Sequence, residues 1–381
     1  MWKIPLFATD FGEAELEAVR KPVKDGWLTM GPITSELESH FSSMLGVKHS
    51  IAVTNCTCAL HLALLSQGVG HGDEVIGPAM TFIASVNAAR YCGAKVVFAD
   101  IIGEEDLTLD PDDVKRKITP RTKAIVVVHY AGFPAQMEAL SEIAREYGLS
   151  VVEDSAHSLI TTVNGKALGS IGAAGCFSFF SNKNITCGEG GMVTTNDDKI
   201  AEKVRLLRSH GMTSLTLDRH EGRAWSYDCV ATGWNFRIDE IRASLALAQL
   251  KRLPEFLEKR VKVRKWYLEA LEASPVTVPF RHWDRRESKD ARIGYHIMPV
   301  VLPTYTDRLF VMSELKSKGI QSSIHYPPAH LFSMAAAENH PRLPVTEDIA
   351  ARELTLPFYP GMSQEDVREV CTHLLDAVSR R

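Results

Sequence analysis

Short apolar runs of β type recur along the first half of the chain, at 50–54, 74–76, 95–99, 123–129, 150–152, 176–180 and 191–195, and helical patterns such as 137–147 separate several of them. No other feature limits the fold as much. Strands that alternate with helices need crossover connections, which set the strands parallel in one sheet covered on both faces. The expected fold is therefore α/β with a mainly parallel seven-stranded sheet. Beyond it, 245–257 and 261–271 read as a long helical connection interrupted near Pro254. The segments 295–302, 312–318 and 365–379 suggest a smaller α+β unit. The division is expected near residue 250, giving a large domain over 1–250 with an N-terminal arm and a small C-terminal domain over 251–381. A chain of 381 residues is long enough for two such cores.

Composition excludes several classes of function. A net charge of −4, with 24% charged residues, argues against a nucleic-acid surface, which needs a strongly basic face. The most basic stretch, 258–265, fits the solvated side of a helix. No apolar run is long enough to span a bilayer, and the start has no leader-like apolar core. A cytoplasmic protein is expected, with no membrane partner. The seven cysteines, at 56, 58, 92, 176, 187, 229 and 371, are odd in number and lack C-x-x-C spacing, so they read as thiols in a reducing compartment and not as a disulfide framework or metal site.

Ligands of a parallel sheet collect beyond the carboxyl ends of its strands. Three sequence features lie there. Val151-Val152-Glu153-Asp154 ends an apolar run in an acidic pair, and Lys183 follows Asp154 by 29 residues, between small polar residues and the turn Gly188-Glu189-Gly190-Gly191. Upstream, Asn55-Cys56-Thr57 joins a strand to the helical pattern at 58–65. Such a turn presents free N–H groups at the positive end of a helix dipole, which suits a phosphate, and Thr57 can cap the helix. A lysine amine for a Schiff base, a carboxylate that keeps a ring nitrogen protonated, and a phosphate turn are together what pyridoxal phosphate requires. Taken singly, Lys183 could be one more solvated lysine and Asp154 a strand-end turn residue.

The order of the motifs narrows this reading. Asn55-Cys56-Thr57-Cys58-Ala59-Leu60, Pro78-Ala79-Met80-Thr81-Phe82, Glu153-Asp154-Ser155-Ala156-His157, Ser178-Phe179 through Lys183 to Gly191, and Gly233-Trp234-Asn235-Phe236-Arg237 occur in succession. The chain resembles the nucleotide-sugar aminotransferases of the DegT type, which have the aspartate-aminotransferase-like fold type I. The likeness runs from Gly26-Trp27-Leu28-Thr29 to His325-Tyr326-Pro327.

That resemblance implies roles. Lys183 carries the cofactor and moves the proton, and Asp154 pairs with the ring nitrogen. His157 contacts the phenolic side and Phe82 stacks on the ring. The phosphate rests on Cys56, Thr57, Cys58 and Ser178, with Asn235 reaching over from a second subunit, so a homodimer with shared sites is implied. Thr29 and His325 line the sugar pocket, and Arg237 receives a donor carboxylate or holds the subunit interface. The chain departs from relatives at Ser158-Leu159-Ile160, where they carry smaller residues, which puts local packing in question.

The expected function is transfer of the amino group of L-glutamate onto a keto carbon, C4, of a nucleotide-linked keto-sugar, through a lysine-bound cofactor and pyridoxamine phosphate. Amination at C3, or of an aminocyclitol precursor, stays open. Sugar 3-dehydratases of the family replace the lysine by histidine, so Lys183 speaks against them. A non-catalytic regulatory protein on the same fold is disfavoured by the intact Asp154 and Lys183.

Overall fold

The computed structural model describes residues 2–284, 291–336 and 340–380. Its centre is a seven-stranded sheet built from β1 (His49–Val53), β2 (Glu74–Pro78), β3 (Lys95–Ala99), β4 (Thr122–Val128), β5 (Ser150–Asp154), β6 (Ala174–Ser178) and β7 (Gly191–Thr195), in the order β1-β7-β6-β5-β4-β2-β3. The pairs β2–β3, β2–β4, β4–β5 and β5–β6 are parallel, whereas β7 runs antiparallel to both β6 and β1. The α/β fold with a mainly parallel sheet is thus as the sequence leads one to expect.

Two-residue periodicity sends alternate side chains to opposite faces, and both faces are buried. Along β4, Ala124 and Val126 join one apolar core while Ile125 and Val127 join another. Helices cover both sides: α1 (Pro32–Leu45), α2 (Cys56–Ser66), α3 (Ile83–Tyr91), α4 (Met137–Tyr147) and α5 (Asp198–Arg208). Next, α6 (Glu240–Ala270) is one continuous helix of 31 residues, and Pro254 lies inside it. The expected interruption does not occur. Proline deletes one hydrogen bond, but Leu250, Leu253, Phe256 and Leu257 around it are all buried, and that apolar packing outweighs the lost bond.

The division placed near residue 250 falls within α6. A separate apolar core gathers Val263 and Tyr267 of α6, the antiparallel pair β8 (Met298–Val301) and β9 (Glu353–Leu356), and helices α7 (Arg308–Ser317) and α8 (Gln364–Ser379). Ile4, from the other end of the chain, is buried in it.

Two local constraints fix the sheet end where the strands deliver their functional groups. Gly191 faces the Asn55–Cys56 turn so closely that a Cβ there would lie 2.5 Å from the Asn55 carbonyl carbon. Glu153 is fully buried on β5, and its carboxylate takes four donors. Oε2 accepts from His129 Nε2 at 2.9 Å and from the Gly169 N–H at 2.7 Å, and Oε1 accepts from the N–H groups of Ile171 at 2.8 Å and Gly172 at 2.6 Å. Replacing it by glutamine puts an NH2 group against two donors whichever way the amide turns. Glu153→Gln is therefore expected to lower unfolding free energy by about 2–4 kcal/mol, read from urea midpoints; an unchanged midpoint would show that the carboxylate does not anchor this region.

Candidate active site

The carboxyl ends of β1, β2, β4, β5 and β6 converge on a cavity of about 350 Å³. Its wall includes Cys56, Thr57, Phe82, Asp154, His157, Ser178, Lys183 and His325, so eight of the twelve residues singled out by sequence meet in one place. The other four do not line it. Cys58 turns away, with its sulfur accepting from Thr54 Oγ1. Thr29 is exposed on the loop before α1, and Asn235 is exposed beside its backbone partner Ser209. Arg237 is half-buried; its Nη1 has no hydrogen-bond partner, and burial beside Arg208 lowers its pKa.

The helix that follows β1 begins at Cys56, and its N-cap is Asn55, whose Oδ1 accepts from the Cys58 N–H at 2.9 Å. The expected cap, Thr57, is instead a first-turn residue on the cavity wall. Asparagine is the better cap because its carbonyl reaches the N3 amide from an extended backbone. The remaining first-turn amides, of Cys56 and Thr57, are left to other partners at the positive helix end.

Asp154 is the last residue of β5 and is 7% exposed. Ser85 Oγ donates to its Oδ2 at 2.6 Å, and the Ala156 N–H donates to Oδ1 at 3.2 Å. Burial pushes its pKa up, opposed by these two hydrogen bonds and by the charge of Lys183. Burial lowers the Lys183 amine to about 8, with Asp154 and Cys56 pulling the other way.

Hydrogen bonding fixes the histidines around that amine. Asn184 Nδ2 donates to the Gly294 carbonyl at 2.6 Å, so its Oδ1 accepts from His296 Nδ1–H at 3.0 Å. His296 Nε2 is thereby left bare and accepts from Lys183 Nζ at 3.4 Å. His157 Nδ1 accepts from the Ala131 N–H at 3.3 Å, so its Nε2–H donates to Tyr326 Oη at 3.0 Å. Tyr326 keeps its own proton for a ligand.

Ser85, Asn184, His296 and Tyr326 were missed from sequence. Asn184 and Tyr326 stood in quoted motifs without a role assigned to them; Ser85 and His296 carry no spacing signal. At the departure noted above, Ser158, Leu159 and Ile160 are all buried, and Ile160 takes φ 70°, a left-handed conformation that a glycine adopts more readily than a β-branched residue.

The groups present fit pyridoxal phosphate: a buried carboxylate for a ring nitrogen, an amine with lowered pKa and a helix N-terminus for a phosphate, all on one cavity wall. Among the described residues, no group of His, Cys, Asp and Glu is arranged to hold a metal ion, and no helix is long and apolar enough to cross a membrane.

Fold and site together define an aminotransferase. Residues 9–375 match the DegT/DnrJ/EryC1/StrS aminotransferase family, and the chain belongs to it. The spore coat polysaccharide biosynthesis protein SpsC of Bacillus subtilis is 36% identical over 376 residues, covering 96% of this chain and 95% of SpsC. Among solved structures, DesI in the presence of its TDP-sugar product is 32% identical with a TM-score of 0.85, covering 96% of this chain and 90% of DesI. Spr1654 of Streptococcus pneumoniae in its PLP-form is 27% identical with a TM-score of 0.89, covering 100% of this chain and 98% of that one.

Two outcomes follow from the electrostatics. In cofactor-free protein, labelling of Lys183 by trinitrobenzenesulfonate should be half-maximal near pH 8, because only the neutral amine reacts. Asp154→Asn removes a charge that raises this pKa, so the midpoint should fall below 8. A midpoint near that of a free lysine would refute the assigned environment. Asp154→Asn should also leave stability within ~1 kcal/mol, since its amide can donate to the rotatable Ser85 hydroxyl.

Proposed function

We propose that this enzyme transfers the amino group of L-glutamate onto a keto carbon, C4, of a nucleotide-linked keto-sugar, with pyridoxal phosphate as its cofactor. The observation that carries the reading is the meeting of Lys183, Asp154 and the Cys56–Thr57 helix end in one cavity, in a chain of this aminotransferase family. The TDP-sugar product of DesI supports a nucleotide-sugar substrate. The unpartnered Nη1 of Arg237 supports a carboxylate-bearing donor such as glutamate.

When bound, the cofactor supplies a protonated ring that draws electrons from the carbon next to the amino nitrogen. Asp154 holds the proton on that ring nitrogen, and Ser85 and Ala156 orient its two oxygens. The amides of Cys56 and Thr57 and the Ser178 hydroxyl bind the phosphate. Phe82, 57% exposed in the single chain, covers a ring face. Lys183 takes and returns the proton at its Nζ, a task suited to an amine of pKa about 8. His157 supports the phenolic side through Tyr326, while Thr29 and His325 contribute to the sugar pocket.

Asn235 completes the phosphate site of a second subunit in a homodimer, which agrees with its exposed position away from its own cavity. The cofactor belongs to a large domain over 1–250, closed by a small domain over 251–381. Seven free cysteines suit the cytoplasm.

Borohydride reduction of the cofactor-loaded enzyme, followed by peptide mapping, should place a pyridoxyl label on Lys183; a label on another lysine would overturn its role. Lys183→Ala should lower 2-oxoglutarate release from glutamate and a panel of nucleotide-linked 4-keto- and 3-keto-sugars by roughly 10²–10⁴-fold. No turnover of any keto-sugar by wild-type enzyme would reject the substrate class. Mixed dimers of Lys183→Ala with Asn235→Ala should regain activity that neither variant has alone, since one of the two composite sites is then intact; demonstrated heterodimers that stay inactive would count against shared sites.

A further inference from the structure

Behind His325 lies a buried ionisable group that the chemistry above does not use. Glu353 opens β9, is 0% exposed, and pairs in register with Val301 of β8. Its Oε2 accepts the His325 N–H at 2.8 Å. Its Oε1 is 2.6 Å from Thr355 Oγ1, and Thr355 Oγ1 is 2.9 Å from His325 Nδ1. The segment before His325 is tied to the same strand by reciprocal backbone bonds between Ser323 and Thr355, of 2.9 and 3.1 Å. A continuous hydrogen-bonded path thus runs from a buried carboxyl to a histidine on the cavity wall.

We propose that Glu353, acting through Thr355, sets whether His325 presents a hydrogen-bond acceptor or a donor to the ligand in the cavity. The hydroxyl of Thr355 has one proton, and this makes the path directional. With Glu353 ionised, that proton goes to Oε1, so His325 must carry its own proton on Nδ1 to reach Oγ1. Nε2 is then bare and accepts from a ligand hydroxyl. With Glu353 protonated on Oε1, the carboxyl donates to Oγ1, the Thr355 proton turns to Nδ1, and His325 carries Nε2–H, a donor for a ligand carbonyl or ether oxygen.

The interchange balances. One proton enters at Nε2, the proton on Nδ1 passes to Oγ1, and that on Oγ1 passes to Oε1. Oε2 accepts the His325 N–H in both states. Glu353 is a positioning residue for a specificity contact. That the ligand is a keto-sugar rests on the proposed function; the polarity of His325 does not.

Both states are within reach of ordinary pH. Burial raises the Glu353 carboxyl to about 8, opposed by the bonds from Thr355 and the His325 N–H and by Arg308. The charged and titratable groups that face this path are few. Arg308 of α7 donates to the Glu353 carbonyl at 3.1 Å, Tyr130 donates to the His325 carbonyl, Tyr326 is held by His157, and Lys183 acts on His325 from the cavity. Arg352, next in sequence, turns to the Leu302 carbonyl and to Glu104 and Asp348. Burial and the Lys183 charge hold the His325 imidazole down to about 4, so it stays neutral and only its tautomer changes.

Nitrogen-15 NMR of the purified full-length protein labelled in histidine tests this, with His325 assigned by the signal lost in His325→Gln. Wild type should show the Nε2–H tautomer at pH 6.5 and the Nδ1–H tautomer at pH 9.5, with the change centred near 8. In Glu353→Gln, the amide oxygen accepts the His325 N–H and its NH2 donates to Thr355, so the Nε2–H tautomer should persist across the range. Thr355→Val should abolish the pH dependence. A single tautomer in wild type from pH 6.5 to 9.5, or the same transition in Glu353→Gln, would overturn the proposal. Neither readout depends on turnover, so failure of the sugar assignment would leave the tautomer result standing.

Discussion

The site depends on a division of labour between two carboxylates adjacent in sequence. Successive residues of a strand point to opposite faces, so Glu153 and Asp154 leave β5 in opposite directions. Glu153 faces inward and binds His129, just past the end of β4, together with three backbone amides of the loop before β6. A buried carboxylate is tolerable only when its lone pairs are filled, and here four donors fill them. This fixes the relative positions of β4, β5 and β6, and hence of everything their carboxyl ends carry. Asp154, free of that duty, keeps one strong bond from Ser85 and one long bond from Ala156, and its carboxylate can answer to a ligand.

The strands were legible because both faces of the sheet are buried, so their sequences are apolar throughout. Strands 95–99 and 191–195 and helix 137–147 have the expected bounds, and the other five strands of the sheet shift by a residue or two; beyond the sheet the misses are larger, as in the helix expected over 312–318 that begins at Arg308, because capping and register decide more than hydropathy does. Lys183 and Asp154 were legible because a strand end followed by a glycine-rich turn is a local signal. Ser85, Asn184 and His296 were not, since each acts through a partner distant in sequence, and a lone serine, asparagine or histidine has no spacing to betray it. Pro254 misled for the opposite reason: the local rule held for the hydrogen bond, but the apolar surface buried around it was larger. Thr29, Asn235 and Arg237 came from resemblance alone, and the single chain leaves them off the cavity.

What surrounds Lys183 is chemically unusual for a cationic side chain. His157, His296 and His325 crowd the amine, with the His157 and His296 rings 4.4 Å apart, and burial lowers the pKa of all three. Each has one nitrogen committed to a fixed partner: Ala131, Asn184 and Thr355 respectively. Neutral imidazoles can pass a proton while carrying no charge, so they do not compete with Asp154 for the role of counter-ion. The one negative charge on this wall that acts on the amine most strongly is then that of Asp154, while the histidines supply donors and acceptors whose direction is set from behind.

That arrangement explains why two regions far apart in sequence must meet. The sheet ends supply the lysine, the carboxylate and the helix terminus, all groups that a cofactor would need. The His325–Tyr326 segment and His296 come from the C-terminal third and add groups whose only fixed property is hydrogen-bond direction. Direction is cheap to change, because a buried residue one bond further back, such as Asn184 or Thr355, or two bonds back, such as Glu353, can reverse it without moving the ring. A fold that holds its reactive groups on the sheet and its adjustable groups on the covering segment can alter what it recognises while leaving the carboxylate and the amine in place.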